Sequence, residues 1–88
     1  SKTYETTVEI TIVIKNNSEN TVKLEIEDQI PIIHNNPDII ITPLELQGAE
    51  LDKDGILLWK KELKSKEELK LKVKYQAKYP KGTSLNLN

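Results

Sequence analysis

The chain alternates apolar and polar residues with a period of two over several segments. Along residues 4–15 the even positions carry Tyr, Thr, Val or Ile, while the odd positions are mostly polar or charged. Side chains of a β-strand point alternately to opposite faces, so this pattern predicts a strand with one face towards a core. The alternation resumes at Val22, Leu24 and Ile26, after a polar cluster at 16–20 that tolerates turn geometry. We therefore expect the first two strands to form a hairpin.

The second half of the chain repeats this signal. Residues 53–55 read Lys-Asp-Gly and predict a tight turn, because Asp and Gly accept the positive φ that a hairpin requires. A strand over 56–63 follows. After the next turn, apolar residues occupy consecutive odd positions, namely Leu69, Leu71, Val73, Tyr75, Ala77 and Tyr79. A helix over 60–74 would scatter such residues around its axis, so we expect a strand here and a short terminal strand over 84–88.

The middle of the chain lacks a clear alternation. Pro31 and Pro37 bracket a predicted loop, and an apolar run at 39–41 comes shortly before Pro43. Proline cannot donate to a sheet ladder, so this strand is expected to be an edge or to be interrupted, and the pattern does not fix its inward face. A partner strand can add to an exposed edge. The residues that we predict to line such a partner edge are Ile39, Ile41, Leu44 and Leu46.

Six or seven short strands separated by turns, with no convincing helix, predict an all-β fold. We expect a single domain over 1–88, because 88 residues suffice for one core. An antiparallel β-sandwich accounts best for the pattern, and a small closed barrel remains open because the alternation does not distinguish two sheets from one curled sheet. The aromatic residues share the apolar parity of their strands and are expected in the core: Tyr4, Trp59, Tyr75 and Tyr79.

Composition narrows the classes of function. Thirteen basic residues, all of them Lys, and fourteen acidic residues give a formal net charge of -1, which argues against nucleic-acid binding. The absence of Cys excludes disulfides, thiolate metal sites and Cys nucleophiles. No apolar run approaches the roughly 20 residues of a membrane-spanning helix, so we expect no membrane insertion.

Few residues are candidates for chemistry. His34 has no neighbouring Ser-His-Asp or Cys-His arrangement, and we interpret it as a solvated loop residue. Asp52 and Asp54 resemble the start of a calcium loop, but the later ligand positions carry Ile and Leu, so a hairpin turn explains them. Asp28 continues the inward parity of its strand and is interpreted as a strand-end residue that accepts backbone N–H bonds. An enzyme would require Asp28, His34 and Asp52 to converge in one cleft. We predict no catalytic, cofactor-binding or metal-binding residue and no cofactor.

Two further patterns are not interpreted as functional sites. The last long strand carries a basic stripe on its polar face, formed by Lys70, Lys72, Lys74 and Lys78. Glutamates on neighbouring strands can pair with it, so we expect a solvated, partly paired face rather than a phosphate or lipid site. Residues 16–18 fit the N-glycosylation sequon, which matters only in a eukaryotic secretory setting.

Three segments carry a family resemblance. They are the asparagine turn and strand that end at Asp28–Pro31, the Gly-Ile-hydrophobic-x-Trp hairpin at Gly55–Trp59, and the closing strand over 71–82. In this order and spacing they resemble the C-terminal domain of the mucoidy-inhibitor-like family, bacterial proteins that carry a domain of unknown function. The resemblance implies an immunoglobulin-like sandwich at the C-terminal part of a larger multidomain protein. It supplies no catalytic residue, and its name points to the bacterial cell envelope or periplasm.

These observations lead to two hypotheses about function. The first is a non-enzymatic module for protein interaction or structural positioning in a bacterial envelope-associated protein. Its partner would be a protein, either its own upstream domains or another subunit. The alternative is a carbohydrate-binding module for envelope polysaccharide. That alternative requires at least one of Trp59, Tyr75 and Tyr79 to be exposed on a flat surface.

Overall fold

The computed structural model describes residues 2–82, which fold into two antiparallel sheets of three strands each. The strands are β1 (Thr3–Lys15), β2 (Val22–Gln29), β3 (Ile40–Glu45), β4 (Glu50–Leu51), β5 (Ile56–Leu63) and β6 (Glu68–Pro80). Sheet A has the order β1-β6-β3, and sheet B has the order β2-β5-β4. The prediction of an all-β sandwich is confirmed, and the described residues contain neither the helix over 60–74 nor a single closed barrel. The strand predicted over 84–88 lies outside the described residues.

None of the described residues belongs to a helix long and apolar enough to cross a membrane. The molecule is elongated because sheet A is built on two strands of 13 residues. At about 3.3 Å per residue such strands are about 43 Å long. The described residues extend over 57 × 20 × 17 Å, and their radius of gyration is 16.2 Å. A compact domain of this length would have a radius of gyration of about 12 Å.

The predicted hairpin between β1 and β2 is wrong, because the two strands lie in different sheets. β1 pairs with β6, and β2 pairs with β5. The connection over 16–21 crosses between the sheets, and the Asn16 side chain holds it there. Asn16 Nδ2 donates to the carbonyl oxygens of Asn20, Leu63 and Lys64 at 2.7, 3.1 and 3.0 Å, which ties this turn to the end of β5. Alternation fixes the faces of a strand but not its neighbour.

The core lies between the two sheets. Its largest buried side chains are Trp59 and Tyr75, each 1% exposed. The inward parity predicted for β5 and β6 is confirmed, since the residues that face the opposite sheet are the buried ones: Leu57, Trp59 and Leu63 on β5, and Leu71, Val73, Tyr75 and Ala77 on β6. The corresponding row of β1 packs against the same core but is only half-buried.

One end of sheet A extends past sheet B, whose long strands have 8 residues. Pro37 and Asp38, in the segment between β2 and β3, line a groove with Thr3 and Pro80 at this end. Ile30 is buried, and its N–H donates to the carbonyl of Gly55 at 2.9 Å. Gly55 is the turn residue predicted from the sequence. It has φ +82°, and a Cβ there would collide with the Ile30 carbonyl and the Ile32 side chain.

The expectation that all four aromatic residues lie in the core is wrong for Tyr4, whose exposure is 47%. Tyr79 is half-buried, whereas Trp59 and Tyr75 are buried as predicted. Tyr4 and Tyr79 lie opposite each other at the end of sheet A that sheet B does not reach. They have the parity of core residues, but only half of a sandwich surrounds them.

Candidate interaction surfaces

The predicted partner edge contains β3, which is an edge strand of sheet A. It is also interrupted, because the register with β6 shifts between Pro43 and Glu45. Both features agree with the sequence prediction. Ile41 and Leu46 pack against the core, and Ile39 is half-buried just before the strand. Leu44 is therefore the one exposed side chain of the four residues predicted to line this edge.

Sequence analysis missed Ile40, which is 52% exposed. Ile40 and Leu44 both belong to β3 and both are exposed to the same extent. The signal for Ile40 was present in the alternation of β3, since Ile41 turns towards the core and its neighbour must turn away. The run of three isoleucines hid this alternation.

The direction of the backbone groups in β1 follows from hydrogen bonds at its two ends. Lys81 N donates to the carbonyl of Lys2 at 3.0 Å, and Asn16 N donates to the carbonyl of Glu67 at 2.9 Å. In an antiparallel ladder, opposite residues alternate between hydrogen-bonded and non-hydrogen-bonded pairs. The even-numbered residues of β1 therefore direct their N–H and C=O groups to β6. The odd-numbered residues direct theirs away from β6.

We call the side of β1 that faces away from β6 the β1 edge. Among residues 2–82, β1 has β6 as its only sheet neighbour, so the backbone groups along this edge have no strand beside them. The register between β1 and β6 is continuous from Thr3 to Lys15, without a bulge. The strand contains neither Pro nor Gly. This edge was not singled out by sequence analysis, because alternation does not reveal which strands are outermost.

The same reasoning describes the free side of β3. Lys72 N donates to Gln47 Oε1 at 2.7 Å, so the even-numbered residues of β6 face the β3 side. Ile40 and Thr42, which lie opposite Lys78 and Gln76, therefore bond to β6. The backbone groups of Ile41 and Pro43 therefore point away from β6, and Pro43 has no N–H. The free side of β3 is consequently a poor template for an added strand.

The basic stripe lies on the outer face of sheet A and is partly paired, as predicted. Glu9 accepts ion pairs from Lys72 and Lys74, both at 3.6 Å, and Glu5 lies 4.0 Å from Lys78. These pairs are exposed, so each contributes little to stability. They pair three of the four lysines of the stripe with glutamates.

The three acid or base candidates have local structural roles or are solvated. Asp28 Oδ1 accepts the N–H of Gln29 at 2.7 Å, which confirms the strand-end interpretation. Asp52 Oδ1 accepts the N–H groups of Asp54 and Ile56, both at 2.9 Å, and so shapes the β4–β5 turn. His34 is exposed in the loop. Burial raises the pKa of the Tyr75 hydroxyl, and the negative charge of Asp28 raises it further.

The grooves on the surface of the described residues include three that differ in size and position. A groove of about 500 Å³ lies along β2 and β5, and it is lined by Lys23, Leu24, Glu25, Lys60, Lys61 and Glu62. A second, of about 400 Å³, lies beside Ile40 and Pro80, and a third, of about 290 Å³, lies beside Glu50 and Asp52. None of these three grooves is lined by more than one of the residues Asp28, His34 and Asp52. Within 2–82, no three His, Asp or Glu side chains are grouped to hold a metal ion.

The aromatic residues form a pair rather than a platform. The ring centroids of Tyr4 and Tyr79 are 5.9 Å apart, and their planes are inclined by 56°. The Tyr79 hydroxyl also forms a hydrogen bond with Thr6 Oγ1 at 3.1 Å. The carbohydrate-binding alternative requires at least one of Trp59, Tyr75 and Tyr79 to be exposed on a flat surface, whereas Trp59 and Tyr75 are buried and Tyr79 is half-buried.

The glycosylation sequon has a structural explanation. Asn16 is 7% exposed, and its Nδ2 atom, to which a glycan would be attached, donates the three hydrogen bonds described above. Its Oδ1 atom accepts from the backbone N–H and the hydroxyl of Ser18, at 3.0 and 2.7 Å. A glycan on this residue would break the network that joins the two turns.

Of three comparisons with known proteins, two give no match and one gives a match. No curated protein and no solved structure matches the chain. A family profile with the description "Domain of unknown function (DUF4139)" matches residues 1–81. This match does not carry the mucoidy-inhibitor-like name, which stays a resemblance. Because the profile covers nearly the whole sequence, the chain belongs to the DUF4139 family of domains of unknown function.

Proposed function

We propose that this domain is a non-enzymatic module for protein interaction, and that it binds a partner by adding a strand at the β1 edge. The observation that carries the proposal is the length and regularity of this edge. It spans 13 residues and, among the described residues, has no neighbour opposite β6. Backbone groups along such an edge are a template for another strand.

The other edges each contain a feature that discourages pairing. β3 has Pro43 and the register shift after it, and β4 has only 2 residues. β2 directs Asp28 towards the interior, and inward-facing charges protect an edge. β1 has no such feature, because Tyr, Thr, Val and Ile occupy its inward positions from 4 to 14. This contrast favours β1 over the β3 edge predicted from the sequence.

The half-buried inner row of β1 supports the same conclusion. Val8, Ile10 and Ile12 lie opposite Tyr75, Val73 and Leu71, which are fully buried. The β1 residues remain partly accessible because no further strand lies beside them in the described part of the chain. A strand with apolar residues at alternate positions would cover this row and remove apolar surface from water.

A substitution that removes one N–H from the β1 edge tests the proposal. The Thr11 N–H points away from β6, so Thr11→Pro leaves the hydrogen bonds of sheet A in place but obstructs an added strand. The double variant Ile40→Ser and Leu44→Ser is the matched control, since it removes the exposed apolar side chains of β3. Chemical crosslinking in lysate of the source organism, with the three proteins as baits, compares the two surfaces.

We expect a protein that crosslinks to the parent and to the β3 control but not to Thr11→Pro. Loss of the protein in the β3 control alone would move the contact to the sequence-predicted edge and contradict the β1 proposal. Recovery of polysaccharide without protein would favour the carbohydrate-binding alternative. Recovery of nothing would leave structural positioning as the role, and turnover of a substrate by the isolated domain would defeat a non-enzymatic role.

A further inference from the structure

We infer that the strand accepted by the β1 edge is β1 of a second copy of this chain, paired antiparallel around a two-fold axis at Ile10. This inference rests on the proposed function, since it names the partner of the same edge. The resulting dimer would contain a continuous sheet of six strands in the order β3-β6-β1-β1-β6-β3. A two-fold axis makes both copies use the same surface.

The first requirement is that the backbone groups of the two strands meet in phase. On each copy, the odd-numbered residues of β1 direct their N–H and C=O groups to the edge. Pairing odd residues with odd residues therefore forms hydrogen-bonded pairs along the whole contact. The same phase places even residues opposite even residues, so both inner rows lie on the core side of the continuous sheet.

The second requirement is complementary charge, and it selects the register. When Ile10 of each copy lies on the axis, Glu5 of one copy is opposite Lys15 of the second copy, and this pair occurs twice. A register centred on Glu9 would be longer, but it would place two glutamates directly opposite each other. The register at Ile10 is the longest in-phase pairing of β1 that matches a glutamate with a lysine and no glutamate with a glutamate. Opposite charges across strands are favourable, and like charges are unfavourable.

The third requirement is that the inner rows fit. In this register Val8 of one copy lies opposite Ile12 of the second copy, and the two Ile10 side chains meet at the axis. All are β-branched, and such residues pack well against each other on a pleated surface. Ile14 lies opposite Thr6. No charged side chain enters the inner row, so self-association buries apolar surface without burying an unpaired charge.

The test is sedimentation equilibrium of the whole 88-residue chain and of two charge variants. We expect the parent to show a reversible monomer–dimer equilibrium. Glu5→Lys and Lys15→Glu should each weaken self-association by about tenfold, because each turns both charge-matched pairs into like-charge pairs. An equimolar mixture of the two variants should recover dimers, since each heterodimer again pairs every lysine with a glutamate. Recovery in the mixture distinguishes this register from general effects of charge.

Thr11→Pro supplies an independent arm. It should reduce the dimer to below detection while the far-ultraviolet circular dichroism of the chain stays that of the parent. If this variant loses its fold, the charge variants decide the outcome alone, because both substitutions lie on the exposed face.

A parent chain that stays monomeric at millimolar concentration would overturn the inference. Dimers that persist unchanged in both single charge variants would overturn the register. If the odd-numbered β1 amides of a monomeric chain are already protected, another segment occupies the edge, which also overturns the inference. Crosslinking of a different protein through the β1 edge would then still support the proposed function, so the two failures are distinguishable.

Discussion

The two flanks of the sandwich are finished in different ways. On the flank of β3 and β4, Trp59 Nε1 donates to the carbonyl of Leu46 at 3.0 Å, and Gln47 Oε1 accepts the N–H of Lys72 at 2.7 Å. On this flank, side chains therefore supply hydrogen bonds to backbone groups. On the flank of β1 and β2, the network at Asn16 closes one end, and the rest of β1 keeps its outward backbone groups without a strand beside them in the described residues.

The two flanks differ in how side chains satisfy the backbone groups at the edges of the sheets. Gln47 continues the line of β3 beyond the bulge, at a positive φ of 49°, and satisfies a backbone group of the central strand. Among residues 2–82, no side chain is seen to take this part along the β1 edge, where hydrogen bonds hold the turn at Asn16. On the β1 flank, hydrogen bonds hold the turn at one end, and no described strand lies along the rest of the edge. Such an edge is suited to backbone pairing, because it is rigid before a partner binds.

Removal of the Trp59 side chain from the β3 and β4 flank should cause the largest loss of stability. Trp59→Ala should lower the free energy of unfolding by about 3–5 kcal/mol, because it leaves a large cavity and removes the bond to Leu46. Guanidinium denaturation followed by circular dichroism measures this change. Trp59→Phe is the control that keeps much of the bulk and loses the hydrogen bond, so it should cost less. A loss below about 1 kcal/mol for Trp59→Ala would show that this side chain does not seal the flank.

Removing the Asn16 side chain should break the locked end of the opposite flank. Asn16→Ala should cost about 2 kcal/mol, because the carbonyls of Leu63 and Lys64 lose a donor in a partly buried place. Asn16→Asp keeps the shape and the acceptor for Ser18 but loses the donors, so it should be no more stable than Asn16→Ala. Urea denaturation of both variants checks this prediction. An Asp variant as stable as the parent would show that the donated bonds are unimportant.

Substitution of Gln47 tests the β3 and β4 flank with a smaller expected loss of stability. Gln47→Ala should cost about 1 kcal/mol, the usual net contribution of one hydrogen bond. Gln47→Gly loses the same bond but accepts the positive φ without strain, so it should be the more stable of the two variants. Thermal unfolding in parallel measures the difference. Equal stability of Ala and Gly would indicate that backbone strain at this position is negligible.

The smallest expected effect concerns alkaline pH and the interior between the flanks. The pKa of Tyr75 is raised in the folded protein by burial and by the charge of Asp28. Its contribution to stability is therefore complete below its unfolded pKa of about 10 and is lost as the pH rises through the folded value. Tyr75→Phe should flatten the decline of stability over the interval above about pH 10. Denaturant midpoints across that interval measure it, and an unchanged slope would contradict the assignment.

The faces of the strands could be predicted from the sequence, because period-two alternation reports directly on burial. The inward row of β6 and the position of Trp59 follow from it, whereas the turn at Gly55 follows from the Asp-Gly pair. The neighbours of the strands could not be predicted, since the same alternation is compatible with a β1–β2 hairpin and with two separate sheets. The sequence shows Asn16 only as part of a polar cluster that tolerates turn geometry, because its partners Leu63 and Lys64 are remote in sequence.

The candidate site shows the same limit. Pro43 correctly marked β3 as an interrupted edge, but a proline also makes that edge a poor template. The exposure of Tyr4 depends on where sheet B ends, which is a property of two sheets and not of one strand. The β1 edge emerges only when strand order and backbone direction are combined, and no local pattern in 3–15 contains either.

Amide hydrogen exchange of β1 at two protein concentrations shows directly whether a strand is added at the β1 edge. The even-numbered amides bond to β6 and should be protected in dilute and in concentrated solution. The amides of Thr7, Glu9 and Thr11 point to the edge, and they should exchange rapidly when dilute and become protected when concentrated. Rapid exchange of these three amides at both concentrations would contradict the account, because no strand would then have been added at β1.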